Sequence, residues 1–262
     1  SLARDHGVTP FMVLHAAFAV LLGRLSGTRD IAIGTPVSGR DDEQLDELIG
    51  MFVNTLVLRS DVDDRSTFAE LLHHIRDVDS AAYAHAHLPF ERLVDLLSPT
   101  RSAARHPLFQ VVLAVDLTPG IPAARLGDMD VAATEIEIGT AKFDLQLTVP
   151  DIRDGNTGST HRAAFEYAVD LFDEATVARF AEQLLRILRT VVGDTSVVVG
   201  DVEILDDSER ELVVSRWNSL GDDVAPSGVT LVDLFERQVS VRGDSVAVRF
   251  GDEQLSYRDL GA

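Results

Sequence analysis

Residues 51–58, with the sequence MFVNTLVL, narrow the possible folds more than any other segment, because only Asn54 and Thr55 interrupt an apolar run. A short apolar run without alternation is typical of a strand that is covered on both faces. Residues 31–37 form a second run of the same kind, which leads into a Ser-Gly-Arg sequence. We therefore predict that residues 51–58 lie in the middle of a sheet covered by helices.

Helices are predicted where a capping signal precedes apolar residues at helical spacing. Thr9 is a predicted N-cap, and Pro10 follows at the first helical position, where the missing amide costs nothing. Thr67 and Glu70 fit a capping box, and Asp173 fits an N-cap. The predicted helices cover residues 10–25, 67–83, 90–97 and a long segment from 173 to about 191.

Further strands are predicted at residues 109–115, 129–138, 143–149 and 162–169, with the turn-rich sequence DIRDGNTGST between the last two. Strands mixed with helices in this order indicate an α/β domain, in which a mixed sheet is flanked by helices. The turn-rich sequence could form a solvent-exposed hairpin, or its flanks could cross to another part of a larger domain.

Composition divides the chain into three predicted parts. Residues 1–205 contain the α/β pattern, and residues 206–229 combine a polar helix with the linker-like sequence GDDVAPSG. Residues 230–262 have one amphipathic helix, a short strand and a turn, which is too little for a domain. We expect them to begin a second domain. The abrupt start in a helix, without Met, leads us to expect the interior of a longer polypeptide.

Charge and composition exclude several functions. The chain has 43 acidic against 23 basic residues, a formal net charge of −20, so we expect no nucleic-acid partner. It has no cysteine, which excludes disulfides, thiolate metal sites and cysteine nucleophiles. The longest apolar run is too short to span a bilayer, and no signal peptide precedes it, so no membrane association is expected. A cytoplasmic location is our expectation.

The histidines do not form a predicted metal or catalytic site. His73 and His74 are adjacent on a predicted helix, where neighbouring side chains diverge, so we expect a solvated helix face. His85 and His87 have no further ligand at a suitable spacing for zinc. His106 precedes a proline, and we expect it to make a hydrogen bond that stabilises a helix or turn. We predict no metal.

Asn54 stands out because it is polar within an apolar strand, where an unpaired buried amide costs about 1–3 kcal/mol. It must therefore bond to a backbone group or to a polar ligand.

Ser38 lies outside any G-x-S-x-G elbow, so it is not a hydrolase nucleophile. Arg59 and Arg101 are expected to orient loops. Lys142 and Asp144 could form an ion pair. The glycines at 34 and 39 do not begin a phosphate-binding loop.

Several segments together resemble the second half of a condensation domain from a nonribosomal peptide synthetase. They are GTPVSGR at 34–40, IGMFVNTLVLR at 49–59, AHAHLPFERLVDLL at 84–97, RSAARHPLFQVVL at 101–113, KFDLQL at 142–147 and the AVDLFDEATVARFAEQL region. The resemblance covers about residues 2–218. The tail sequence LSYRDL, at 255–260, resembles the first core motif of an adenylation domain. A condensation domain followed by an adenylation domain is the usual order of an elongation module.

This resemblance implies a fold like that of chloramphenicol acetyltransferase, with two similar lobes around a tunnel, of which this chain is the C-terminal lobe. It implies peptide-bond formation between aminoacyl or peptidyl groups that two carrier domains hold on phosphopantetheine thioesters. The implied partners are the N-terminal lobe, the donor and acceptor carrier domains and the adjacent adenylation domain. No cofactor is expected to bind this chain directly, and ATP binding is not expected.

The resemblance also assigns roles to individual residues. The family's catalytic His-His-x-x-x-Asp-Gly motif belongs to the other lobe, and the spacing after His73-His74 does not match it, so no catalytic residue is expected here. Asn54 would bond either a backbone group across the lobes or the pantetheine amides. The tunnel or lobe-junction candidates are Ser38, Arg40, Phe52, Asn54 and Thr55. The structural motif residues are Pro89, Phe90, Glu91, Pro107, Leu108, Phe109, Gln110, Phe143 and Asp144.

Two other functions fit the same residues. The chain could be a non-catalytic, condensation-like module that recruits a partner enzyme, because the decisive histidine motif lies outside it. A stand-alone acyltransferase that uses coenzyme A is the third possibility, and the adenylation-like tail argues against it.

Overall fold

The structure is a computed structural model that describes residues 2–40, 43–45, 47–99, 105–116, 124–126, 129–131, 139–150, 163–218 and 228–262. The chain divides into two compact units, Ser1–Leu205 and Asp206–Ala262. Arg101 and residues 151–160 lie outside the described residues, as do residues 132–138 of the predicted strand at 129–138. Among the helices within these ranges, none is both long and apolar enough to cross a bilayer.

The first unit alternates helices and strands. Its helices are α1 (Leu2–Asp5), α2 (Pro10–Ser26), α3 (Phe68–Ala84), α4 (Phe90–Leu97) and α5 (Glu174–Gly193). Its strands are β1 (Asp30–Val37), β2 (Asn54–Asp61), β3 (Val111–Asp116), β4 (Ala124–Leu126), β5 (Met129–Val131), β6 (Leu145–Pro150) and β7 (Ala164–Tyr167). The described part also has short 3₁₀ turns at Glu43–Leu45 and Val199–Asp201. This alternation confirms the predicted α/β class.

Five strands form a mixed sheet in the order β2-β1-β3-β6-β7. β1, β3 and β6 are parallel to one another, whereas β2 and β7 are antiparallel to their neighbours. The core joins this sheet to α2, α3 and α5, and its largest fully buried side chains include Phe18, Phe68 and Ile187. The sheet flanked by helices is therefore as predicted.

The predicted central position of residues 51–58 is wrong in two respects. The strand runs from Asn54 to Asp61, three residues later than predicted, and among the described strands it lies at the edge of the sheet. The apolar side chains of residues 51–58 are not all covered. Leu56 and Leu58, in the strand, are buried, whereas Met51 and Val53, which precede it, are exposed. An apolar sequence thus continues beyond the part that the sheet buries.

The predicted helix starts follow from their caps. Thr9 and Thr67 each accept a hydrogen bond from the third amide of their helix, and the Glu70 carboxylate accepts one from the Thr67 amide at 2.8 Å. Asp173 accepts from the Thr176 amide at 2.7 Å. These bonds satisfy amides that the first helical turn leaves without an intrahelical partner, which explains why the starts were predictable.

The first unit ends in a segment that is bonded to the start of α3 and to two helices. The Phe68 and Ala69 amides donate to carbonyls at 197 and 195, and the amides of residues 199 and 200 donate back to carbonyls at 66 and 64. Arg24 on α2 donates to the Gly200 carbonyl at 2.6 Å, and Arg186 on α5 donates to the Ile204 carbonyl at 2.7 Å. Residues 195–204 are therefore fixed to the unit along most of their length.

The second unit has little buried surface of its own. It contains α6 (Asp207–Glu211), a π-helical turn at Leu212–Arg216, α7 (Leu231–Arg242), the hairpin of β8 (Val246–Phe250) with β9 (Glu253–Ser256), and α8 (Tyr257–Leu260). α7 has no buried residue, and large apolar side chains such as Leu231 and Phe250 are exposed. Its internal contacts include Phe235 against Tyr257, with ring centroids 6.2 Å apart.

Candidate functional site

Arg40 attaches the segment before β2 to the end of β1. Its guanidinium donates to the carbonyls of Leu45 and Leu48, the latter at 2.9 Å, and lies 4.2 Å from the centre of the Phe52 ring. A guanidinium over an aromatic face is attracted by the ring quadrupole. Arg40 and Phe52, both tunnel candidates, are thus brought into direct contact. Ser38 is exposed, and its hydroxyl accepts a hydrogen bond from the Arg40 amide.

Gly39 permits this attachment. Its φ of +62° is a conformation that side chains disfavour, and a Cβ there would lie 2.0 Å from the Phe52 carbonyl oxygen. The glycine in the sequence GTPVSGR therefore allows two backbone segments to approach closely. Ile49 and Met51, within the attached segment, remain almost fully exposed.

Asn54 connects the start of β2 to the turn before α4. Its side-chain amide donates to the carbonyls of Ala86 at 2.8 Å and Leu88 at 2.7 Å, and its oxygen accepts from the Phe90 amide at 3.1 Å. Pro89, at the N-cap of α4, makes no side-chain capping bond. Asn54, in β2, instead caps this helix by accepting from its first amide. Of the two kinds of partner considered for Asn54, a backbone group across the lobes or the pantetheine amides, neither is seen as stated: its partners are backbone groups at residues 86, 88 and 90 of the same unit.

An aromatic cluster joins three of the motif segments. It consists of Phe90, His106, Phe109 and Phe143, whose ring centroids lie between 4.4 and 5.7 Å apart in five pairs. Phe109 is 1% exposed and occupies the interior of the cluster. Residues 90, 106–109 and 143 come from separate parts of the sequence, so the motifs form one packed structure.

The backbone around the cluster makes room for Phe109. A Cβ on Gly34, in β1, would lie 2.3 Å from the Phe109 ring, so only glycine leaves space for it. Leu108 has a φ of +70°, which is unusual for a residue with a side chain. Gln110 closes the turn by donating to the His106 carbonyl at 2.9 Å, and its own carbonyl accepts from the Asp144 amide at 3.1 Å.

Two members of the cluster, Phe90 and His106, also line a cleft of about 790 Å³. One wall is α4 and the other is the turn at 105–110. The residues that line the cleft are Phe90, Glu91, Val94, Asp95, Pro99, Arg105, His106, Pro107, Leu108 and Gln110. Apolar surface with a few charged groups at its rim can bind an organic chain and orient its polar end.

The other predicted side chains have structural positions. Thr55 pairs with Pro36 between β2 and β1. Arg59 makes a two-bond contact with Asp30, at 2.7 and 2.8 Å, and this contact lowers the pKa of the Asp30 carboxyl. Lys142 and Asp144 make no ion pair in the part of the chain that is described, so that predicted pair is wrong. Asp144 is held through its backbone instead.

The histidines at 73, 74, 85 and 87 are all exposed. His73 and His74 lie in the middle of α3, which confirms the predicted solvated face, and His74 accepts a long bond of 3.4 Å from the Asp61 amide. Within the described ranges, no three His, Asp or Glu side chains are grouped so that they could hold a metal ion. His106 donates from Nδ1 to the Pro107 carbonyl at 3.0 Å, in agreement with its predicted turn-stabilising role.

Sequence reasoning missed one polar contact, between His15 on α2 and Asp79 on α3. Nδ1 of His15 donates to Oδ1 of Asp79 at 2.8 Å, and both side chains are 0% exposed. His15 is visible in the sequence as an interruption of an apolar run, but its partner lies 64 residues away. Both side chains are enclosed by the core, so the pair is not accessible from the surface of the unit.

Comparison with known proteins places this geometry in a family. The condensation-domain family profile matches residues 1–214. A dimodular nonribosomal peptide synthase of Bacillus subtilis (strain 168) is 41% identical over 261 residues, which cover 99% of this chain and 11% of that protein. A probable non-canonical nonribosomal peptide synthetase of Salinispora arenicola (strain CNS-205) is 41% identical over 270 residues, which cover 3% of its length. The chain thus spans about a tenth or less of these relatives.

Solved structures agree on the fold. A four-domain nonribosomal peptide synthetase bound to AMP and glycine matches 99% of the chain with a TM-score of 0.73 at 24% identity, covering 20% of that structure. The X-domain from teicoplanin biosynthesis matches 78% of the chain with a TM-score of 0.66 at 30% identity, covering 46% of its own chain. The fold is therefore that of condensation domains, similar to chloramphenicol acetyltransferase, and the chain belongs to the condensation-domain family.

Proposed function

We propose that this chain is the C-terminal lobe of a condensation domain in a nonribosomal peptide synthetase, followed by the start of an adenylation domain. Supporting this placement, the chain covers about half of the X-domain structure, 46% of its length. The matches to synthetases also continue over residues 215–262, beyond the end of the family profile.

The proposed reaction joins an acceptor amine to a donor thioester. Nitrogen attacks the thioester carbonyl, the carbon–sulfur bond breaks, and the thiol of the donor phosphopantetheine leaves. The thioester is already activated, so the enzyme needs to position two chains and remove the amine proton. In the proposal, that proton is handled by a histidine of the N-terminal lobe.

The observation that carries the proposal is the convergence of three motif segments on one aromatic cluster, two of whose members line a cleft. Phe90, on α4 capped by Asn54, and His106, in the turn at 105–110, line the cleft from its two walls, and both rings also contact Phe109. A preorganised wall reduces the entropy that must be lost when reactants are aligned. Because both amide hydrogens of Asn54 already bond to carbonyls, we propose a structural role for it rather than pantetheine binding.

The proposed partners follow from the reaction. The donor and acceptor carrier domains bring the two phosphopantetheine arms, the N-terminal lobe completes the tunnel, and the adenylation domain begins within residues 230–262. Arg40, Phe52, Ser38 and Thr55 remain predicted tunnel or junction residues. Two large exposed apolar side chains in the segment before β2, Ile49 and Met51, are consistent with a surface that another lobe covers.

The test is a condensation assay with two loaded carrier domains, run on this chain alone and then with the N-terminal lobe added in trans. Product that depends on the second lobe supports the proposal. Product from the chain alone would overturn it, because the chain would then contain its own proton acceptor.

A second candidate function is a non-catalytic module that recruits a partner enzyme. It is favoured by the 31% identity and TM-score of 0.66 to the X-domain in the complex of the X-domain and OxyB from teicoplanin biosynthesis. If the two lobes assemble but give no product with any loaded carrier pair, and the assembly binds a tailoring enzyme instead, the second candidate is correct.

A further inference from the structure

The buried contact between His15 and Asp79 joins two helices at a defined level. His15 lies in the middle of α2, among core residues such as Ala16 and Phe18, and Asp79 lies near the end of α3. The contact is a single hydrogen bond of 2.8 Å between two fully buried side chains. The other side-chain atoms, Nε2 of His15 and Oδ2 of Asp79, have no hydrogen-bond partner among the described residues.

A buried polar pair of this kind is a poor source of stability. Removing two polar side chains from water is costly, and one hydrogen bond with two unpartnered atoms offsets only part of that cost. Apolar side chains of similar size would fill the space between α2 and α3 at a smaller cost in folding free energy. The pair must therefore contribute something other than net stability, and the directional geometry of its bond is what apolar contacts lack.

The position of Asp79 shows what this geometry can control. Tyr83 follows one helical turn later, and partial burial raises the pKa of its hydroxyl, with a further increase from the negative charge of Asp79. α3 ends at Ala84, and the turn at 85–89 follows at once. That turn carries the two carbonyls that Asn54 holds, and the Phe90 amide that Asn54 caps comes next.

We propose that His15 and Asp79 are a positioning pair, which fixes the axial and rotational position of the last turn of α3 against α2. Through the turn at 85–89, the pair sets where α4 begins and where Phe90 enters the aromatic cluster. The path runs from His15 and Asp79 through the end of α3 to the turn held by Asn54, and each of these contacts is direct or continuous along the backbone. The role in condensation rests on the proposed function, whereas the positioning of the turn does not.

The test is amide hydrogen exchange on the native polypeptide, compared between the wild type and the double variant His15→Leu/Asp79→Leu. The double variant retains a filled, apolar contact between α2 and α3. We expect the amides of residues 86, 88 and 90 to exchange at least about ten-fold faster, while amides in β3 and β6 keep their rates. Unchanged exchange at 86–90 would overturn the proposal.

Two further variants separate positioning from general stability. Asp79→Asn keeps an oxygen that can accept from Nδ1 of His15, so it is expected to restore much of the protection at 86–90. Ile75→Ala removes buried volume one turn earlier on the same helix, and it is expected to weaken all core amides together. If Ile75→Ala loosens 86–90 as selectively as the double leucine variant, the pair has no positioning role.

A condensation assay on the same variants links the pair to function. We expect the double leucine variant to lose at least about ten-fold in rate, and Asp79→Asn to lose less. Because exchange is measured without carriers, altered exchange with an unchanged condensation rate would keep the positioning role and refute its effect on catalysis. Failure of the wild type to condense would instead refute the proposed function alone.

Discussion

Asn54 in β2 and His15 in α2 are both polar residues within apolar segments, but they satisfy their hydrogen-bonding groups in opposite ways. Asn54 is half-buried and bonds to three backbone groups in a turn that lies 32–36 residues later. His15 is fully buried and bonds to one side chain, with a polar atom left over on each partner. Backbone partners satisfy a polar group at little cost, whereas a buried side-chain pair depends entirely on its mate.

The largest expected effect comes from leaving His15 without its mate. Asp79→Leu is expected to destabilise the first unit by about 3 kcal/mol, because both nitrogens of the remaining imidazole are then buried without a hydrogen-bond partner. Opening free energies from native-state exchange of the slowest α3 amides measure this loss. His15→Leu/Asp79→Leu should recover most of it, and a double variant as unstable as Asp79→Leu would show that the pair is itself strongly stabilising.

Removing the backbone-bonded residue should cost less and act locally. Asn54→Ala is expected to cost about 1–3 kcal/mol, because two carbonyls and the first amide of α4 lose their partner. Exchange of the Phe90 amide measures the loss, with Thr55→Val, one residue along the strand, as the control. In the complete synthetase, the limiting pKa of the pH–rate profile should not move, since Asn54 has no titratable proton. A shifted limiting pKa would contradict a structural role.

The packing beside the Asn54 turn can be tested from β1. Gly34→Ala places a methyl group where the Phe109 ring now lies, 2.3 Å from its nearest atom, and overpacking of this kind costs about 1–3 kcal/mol. A thermal melt of the chain measures the change. Phe109→Leu in the same chain should relieve part of the clash, so a double variant less stable than the sum of both single variants would contradict this interpretation of the contact.

The smallest expected effect concerns acid sensitivity. The Asp173 carboxylate accepts from the Thr176 amide, and this bond holds the pKa of Asp173 below its ordinary value of 3.8. Because the pKa is lower in the folded state, the ionised carboxylate stabilises the protein above about pH 4. This stabilisation is lost as the pH falls through the folded-state pKa. The melting temperature of Asp173→Asn should therefore depend less on pH between 5 and 3 than that of the wild type. Equal slopes would show that this cap does not titrate measurably.

The same contrast explains what the sequence could predict. The caps at Thr9, Thr67 and Asp173 were predictable because donor and acceptor lie within three residues of each other. That Asn54 needed a partner was predictable from the cost of an unpaired amide, but the identity of that partner required the fold. Asp79 lies in the polar sequence RDVDS, and nothing local distinguishes it from an exposed carboxylate.

The edge position of β2 was not predictable for a related reason. Its apolar residues, and those of residues 48–53 before it, form one continuous pattern in the sequence. In the structure, Arg40 and Gly39 contact Leu48 and Phe52 of the earlier segment, and pairing with β1 begins only at Asn54. Periodicity shows which residues are apolar, but it does not show which of them this unit covers.

The way in which residues 195–204 are fastened has a mechanical consequence. Tension applied to the chain beyond Leu205 first reaches residues 195–204. Four backbone hydrogen bonds near the start of α3 and the guanidinium groups of Arg24 and Arg186 hold this segment. The load is shared among α2, α5 and the stretch that joins β2 to α3. Movement of whatever follows in the polypeptide is thus expected to act on α2, α3 and α5 together rather than on a single element.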